Sequence, residues 1–293
     1  MPLNCQLLSQ LSDNECYCVN VRSDSNGAAQ IINRWVAQKT NNKITEIVTP
    51  DAVNSLTRLV LVNAIYFKGD WMTKFDVSST KDEDFNVSAN ESVKVKLMDV
   101  KSKFYYGVNS ELNCQAIELP YAGENLSMFI LLPYHATSLS QLEEKLTSAD
   151  LVNVKEKFSM QSREVLLWLP RFSLDEELSL AEVLGQMGMR DLFTPRVADL
   201  SGVANTTEID GSKAELYVSE VLHRAVVEVN EEGTEAAAAT AVVGRRVHRS
   251  FNYELFHANH PFLFFIQEKA TRSILFLGRL VKPPSAASAK GQP

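Results

Sequence analysis

Cysteine, histidine and net positive charge are scarce in this chain, and each scarcity removes a class of function. Only four cysteines and five histidines occur in 293 residues. Cys5, Cys16 and Cys18 crowd the beginning and Cys114 stands alone. Cys16 and Cys18 are too close for an ordinary mutual bridge, so neither a disulfide framework nor a zinc spacing appears, and the redox compartment stays open. Lysine and arginine number 29 against 36 acidic residues, a net charge of −7. That is the wrong sign for displacing counterions from a phosphate backbone, which excludes a general nucleic-acid binder. No uninterrupted apolar run reaches the roughly 18 residues needed to span a bilayer, so no membrane role is expected. The opening MPLNCQLLSQLSDNECYCVN lacks the positive and unbroken apolar regions of a signal peptide.

Catalytic motifs are missing as well. There is no G-x-S-x-G elbow, no phosphate loop of the G-x-x-x-x-G-K-[ST] type and no H-E-x-x-H. His257-Ala258-Asn259-His260 has metal-like spacing but lacks the glutamate and precedes a proline, so no metal is expected there. The runs Asp82-Glu83-Asp84, Glu143-Glu144 and Asp175-Glu176-Glu177 read as solvated faces or turns. The chain is therefore not expected to be an enzyme, and no cofactor is implied. Sequons stand at Asn86, Asn90, Asn125 and Asn205. Chance would supply about two or three in a chain of this composition, so they lean only weakly towards secretion.

What is present is an ordinary globular balance, 45% hydrophobic and 22% charged residues, long enough for one large core or two smaller ones. Ile31/Trp35 and Ile32/Val36 pair at helical spacing in SDSNGAAQIINRWVAQKTNNK, with Ser25 or Asn26 as cap and Asn41-Asn42 as stop. Leu139, Leu142 and Leu146 mark a second helix, and Leu180, Val183, Leu184 and Met187 a third. Elsewhere strands dominate. Leu59 to Phe67 is almost continuously apolar, as a central strand buried on both faces would be. LNCQAIELPY, LSMFILLP and VLLWLPRFSL are further strand candidates, and PFLFFIQEKATRSILFLGRL reads as a hairpin. No linker or repeat divides the chain, and only the tail KPPSAASAKGQP has a disordered composition.

One segment behaves unusually. After the long strand ELYVSEVLHRAVVEVN comes EEGTEAAAATAVV, then the basic GRRVHRS. Gly233 permits a hinge. Alanine's helix propensity makes Glu235 to Ala241 a short surface helix on one reading. On the other it is a latent strand, with Thr234, Ala236, Ala238, Thr240 and Val242 on one face and Glu235, Ala237, Ala239 and Ala241 on the other. The first face carries no charge and the segment contains no proline, so it could enter a sheet over a packed core.

VVEVNEEGTEAAAATA closely resembles the reactive-loop hinge of inhibitory serpins. LVLVNAIYFKGDW resembles their central strand and the segment where the loop enters, and NHPFLFFIQEKATRSILFLGRLVKPP resembles their C-terminal strand pair. The likeness runs from about residue 20 to 284. It implies an α+β fold with a large mixed or antiparallel central sheet, additional sheets and surface helices, a partial serpin domain over residues 1–284 and a disordered tail over 285–293. It also implies a monomeric suicide inhibitor of serine proteases: the protease attacks the loop, which then inserts into the main sheet and carries the acyl-enzyme with it.

The resemblance further assigns residues. Glu231, Gly233, Thr234, Glu235, Ala236, Ala237, Ala238, Ala239 and Thr240 form the hinge. Family spacing from the hinge glycine places the scissile bond at Val247-His248. Arg246 as primary residue implies trypsin-like targets and Val247 elastase-like ones. The three arginines of RRVHR favour Arg246; a polyanion site, such as one for a glycosaminoglycan, is the other reading of that cluster. Asn63 and His223 match a hydrogen-bonded pair under the sheet, Trp71 the tryptophan where the loop enters, and Arg171 with Glu231 an ion pair there. Trp71 reads equally as core, and an exposed ion pair would contribute under about 1 kcal/mol. A full serpin has roughly a third of its body ahead of residue 20, so a truncated chain is expected, with an unpaired edge beside Leu56 to Phe67. Family analogy implies extracellular action, although intracellular serpins share the same hinge and cytoplasmic action is the other reading. The alternative is a non-inhibitory or inactive serpin-like protein serving as a binding protein or protease substrate.

Overall fold

The computed structural model describes residues 24–49, 52–54, 57–135, 139–203, 216–231 and 253–283. It resolves into two compact units, one drawn from residues up to Phe67 and from Leu174–Val227, the other from Lys68–Ser173 and from Glu228 onward.

The first unit begins with α1 (Ser25–Lys39). Its cap is Asp24, not Ser25 or Asn26: the Asp24 carboxylate accepts from the Gly27 amide at 2.7 Å, satisfying an amide that the first turn leaves free. The helix stops where expected, with Asn41 and Asn42 both at positive φ, a conformation that short polar residues tolerate. Ala28, Ala29 and Val36 are buried, whereas Ile31 is 44% exposed, so the buried stripe is rotated from the expected one. Asn33 then fastens the following segment: its Oδ1 accepts from the Ile47 and Val48 amides at 3.0 Å and its Nδ2 donates to the Val48 carbonyl at 2.8 Å.

A three-stranded sheet completes this unit, in the order β1 (Leu59–Phe67), β8 (Val218–Val229), β7 (Phe172–Ser179). β1 and β8 run parallel, Val62 opposite Leu222 and Tyr66 opposite Val226. One face packs on α1, with Val60, Val62, Ala64, Tyr66, Leu222 and Val226 joining Ala29, Val36, Ile44 and Val48. β1 is thus an edge strand covered on one side, with Leu61 42% exposed, not a central strand buried on both. Its continuous apolar sequence reports what the strand contains, not how many neighbours it has. α5 (Ala181–Gln186) is shorter than the expected third helix, and Val183 and Met187 are exposed among the described residues.

The second unit is built on an eight-stranded sheet. Its order is β11 (Ile274–Leu280), β10 (Phe262–Glu268), β5 (Leu126–Pro133), β4 (Cys114–Pro120), β3 (Glu91–Asn109), β6 (Gln161–Pro170), β9 (Glu254–His257), with β2 (Lys81–Ser88) also paired to β3. The hairpin of β10 and β11 is antiparallel, as its sequence predicts. VLLWLPRFSL is not one strand: it breaks at Arg171 into β6 and β7. β3, 19 residues long, pairs with β2, β6 and β4 in turn. Sequence reading passes over it because Lys94 and Lys96 on one face and Lys101 and Lys103 on the other interrupt the apolar signal. The run Asp82-Glu83-Asp84 lies exposed along β2, where Lys96 and Lys94 reach Asp82 and Asp84 at 2.9 and 3.1 Å.

α2 (Leu139–Lys145), α3 (Ser148–Val152) and α4 (Val154–Lys157) lie over this sheet. Leu139, Leu142, Leu151, Val154 and Phe158 close a core with Phe129, Leu131, Leu263 and Phe265. Cys114 is buried and free, and burial pushes its thiol pKa far up. Among the described residues no group of three or more His, Cys, Asp or Glu side chains could hold a metal ion. His260 instead bonds the Pro133 carbonyl at 2.6 Å and Asn259 at 3.1 Å. No helix of the described residues is long and apolar enough to cross a membrane.

Candidate functional site

The parallel pairing of β1 and β8 sets Asn63 directly opposite His223. Their side chains meet, Asn63 Oδ1 lying 2.8 Å from His223 Nδ1. Both belong to the face away from α1, because alternate residues of a strand face opposite sides. The pair stitches β1 to β8 at mid-length, with His223 half-buried and Asn63 exposed.

Trp71, Arg171 and Glu231 come together in the second unit. Trp71 is 4% exposed, stacked on Tyr121 with ring centroids 4.6 Å apart and edge-on to Phe75. Its indole N–H donates to the Asn230 carbonyl at 2.8 Å. It is both core and contact: the apolar ring fills space while the polar edge grips the chain at the end of β8.

Glu231 is held more firmly than an exposed ion pair would hold it. It is 5% exposed, its carbonyl accepts from the Phe75 amide at 3.2 Å, and its Oε1 accepts from the Thr80 hydroxyl at 2.8 Å. Arg171 Nη1 stands 3.9 Å from Oε2, with its side chain 55% exposed. A charge at that distance is attracted without a hydrogen bond, so Thr80 is the principal side-chain partner. Thr80 escapes sequence reading because nothing local links it to a residue 151 positions away.

Gly233, Thr234, Glu235, Ala236, Ala237, Ala238, Ala239 and Thr240 lie outside the described residues, as do Arg246, Val247 and His248 and the tail from 284 onward.

Residues 5–283 match the family described as Serpin (serine protease inhibitor). The chain belongs to the serpin family. It is 46% identical over 260 residues to leukocyte elastase inhibitor of Bos taurus, covering 87% of this chain and 67% of that protein. Serpin B6 of Macaca fascicularis is 44% identical over 252 residues, covering 86% and 65%. Among solved structures, uncleaved ovalbumin is similar with a TM-score of 0.78 at 34% identity, covering 90% of this chain and 65% of that one. The mixed sheets and few helices are those of a serpin's α+β fold, and this serpin chain spans about two thirds of the length of the relatives it matches.

Proposed function

We propose that this serpin inhibits a serine protease as a suicide substrate, its loop inserting between β1 and β8 after cleavage. The observation that carries this reading is the closed parallel pair itself. A chain leaving the end of β8 and folding back runs antiparallel to β8. Because β1 is parallel to β8 from Leu59 to Phe67, the returning chain runs antiparallel to β1 as well. Insertion would exchange one parallel ladder for two antiparallel ones, the slightly more favourable pairing per residue.

The hinge composition agrees with this. A strand entering a sheet over a packed core must bring no charge to its buried face, and Thr234, Ala236, Ala238 and Thr240 bring none. Relatives carry the name leukocyte elastase inhibitor, which lends no support to the trypsin-like preference drawn from Arg246. Those names and the spacing from Gly233 both favour Val247 as the primary residue and an elastase-like target. Extracellular action gains no support from these relatives, and the mechanism does not depend on it.

The test is incubation of the full chain with elastase and with trypsin near equimolar ratio, followed by denaturing electrophoresis and mass spectrometry of the released C-terminal peptide. A covalent complex with elastase and release of a peptide beginning at His248 is the expected result. A peptide beginning at Val247, with complex formed only by trypsin, would restore Arg246. Clean cleavage by both enzymes without complex would refute inhibition and leave the chain a substrate.

A further inference from the structure

We propose that Asn26 is a site of spontaneous covalent modification: its bond to Gly27 cyclises with loss of ammonia when the first turn of α1 opens, and Asp24 is the residue that holds that turn closed. Asn26-Gly27 is the only Asn-Gly pair in the chain. A glycine in second place presents no Cβ to obstruct a ring closed by its own nitrogen on the asparagine side chain. Asn26 is exposed, so solvent supplies the base and the water that the reaction uses.

The chemistry needs a group that the fold keeps occupied. The main-chain nitrogen of Gly27 must give up its proton and attack Asn26 Cγ. The new C–N bond replaces the Cγ–Nδ2 bond, ammonia leaves, and water then opens the succinimide to an aspartyl or an isoaspartyl residue. In the folded chain that same N–H donates to Asp24 Oδ1 at 2.7 Å. A carboxylate so close disfavours the amide anion and holds the nitrogen away from Cγ. The helical backbone of Ser25–Lys39 also turns the nitrogen out of line for attack. The fit of cap and glycine is mutual, since a Cβ on Gly27 would lie 2.1 Å from Asp24 Oδ2. The residue that admits the cap is therefore the one that makes the bond labile.

The two products differ in what they do to the fold. An aspartate at 26 keeps the backbone and places a negative charge in the first turn, where the helix dipole favours it. At i,i+2 it does not face Asp24. An isoaspartate instead adds a methylene to the main chain and so disturbs the seating of Ala28 and Ala29, each 2% exposed, the latter in one apolar cluster with Leu222 and Val226. Slow conversion of Asn26 thus loosens α1 from its sheet.

The experiment is ageing of the full native chain at neutral pH and body temperature, with peptide mapping by mass spectrometry to measure aspartyl and isoaspartyl forms of residue 26. Asp24→Ala, Asp24→Ser and the same chains in denaturant are followed in parallel. Loss of the cap should speed conversion about fivefold. Asp24→Ser, which keeps a capping oxygen, should stay near wild type, and all rates should coincide in denaturant. Equal rates for folded wild type and folded Asp24→Ala would overturn the proposal. So would a folded wild type that converts as fast as its denatured chain, a comparison that stands even if Asp24→Ala does not fold. Melting curves complete the test: Asn26→Asp should match or exceed wild type, and chain enriched in isoaspartate should melt lower. An isoaspartyl form as stable as wild type would overturn the effect assigned to α1.

Discussion

Replacing Thr80 by valine isolates the contact that anchors Glu231 just beyond β8. Valine keeps the shape of threonine and removes only the hydroxyl that donates to Glu231 Oε1 at 2.8 Å. The carboxylate is left 5% exposed, and Arg171 at 3.9 Å is too far and too solvated to replace the lost bond. A hydrogen bond to a charged group contributes about 1.5 to 3 kcal/mol, and a buried acceptor left without its donor costs the same range. Because Thr80 is only part-buried, the lower end applies, about 1.5 to 2 kcal/mol. For a chain of this size that is a fall in Tm of about 3 to 8 °C. Trp71 fluorescence is a suitable probe, since its indole bonds Asn230, the residue before Glu231. Thr80→Ser should behave as wild type, and Thr80→Val should cost almost nothing in a Glu231→Leu background, where no carboxylate remains to be orphaned. An equal loss in both backgrounds would refute the reasoning, because the cost would then come from packing and not from the hydroxyl.

Substituting Arg for Thr234 should convert inhibitor to substrate, since an unpaired guanidinium on the inserting face costs several kcal/mol; an unchanged ratio of trapped to cleaved complex would count against insertion of that face. Gly107→Ala should destabilise the second unit by about 1 to 3 kcal/mol, because an added Cβ would lie 2.1 Å from the Phe158 carbonyl oxygen; a melting curve matching wild type would show that β3 can shift. His260 titrates below its ordinary value because burial disfavours the imidazolium, an effect that outweighs the opposing bond to Pro133 and is added to by His135. Its unfolded form therefore binds more protons in that window, so its contribution is present above pH 6.5 and lost as pH falls towards the folded pKa. Denaturant titrations from pH 8 to 5 should show this slope flattened in His260→Gln. Finally, Cys114 should resist thiol reagents until the second unit unfolds, as read by peptide mapping, because its thiol is buried and its pKa raised.

Local pattern and global pairing divided the labour of this fold. The period of α1 and the apolar runs of β4, β5 and β10 could be read directly, because each depends on residues a few positions apart. The hinge reading is of the same kind, resting on an uncharged alternate face of consecutive residues, and those residues lie outside the described ones. Sequence reading missed β3, whose lysines mask its strand character, and apolar composition placed β1 in the middle of a sheet, where it is the edge that the resemblance to a shortened serpin implied. Burial on both faces depends on what a strand meets, and apolar composition alone cannot state that. Tertiary structure alone decided that β1 and β8 run parallel with Asn63 against His223, 160 positions apart, that Thr80 holds Glu231, and that Arg224 spans Asp175 and Glu46. Those contacts follow from strand register and loop closure over long separations, where one residue of slip turns every side chain to the opposite face.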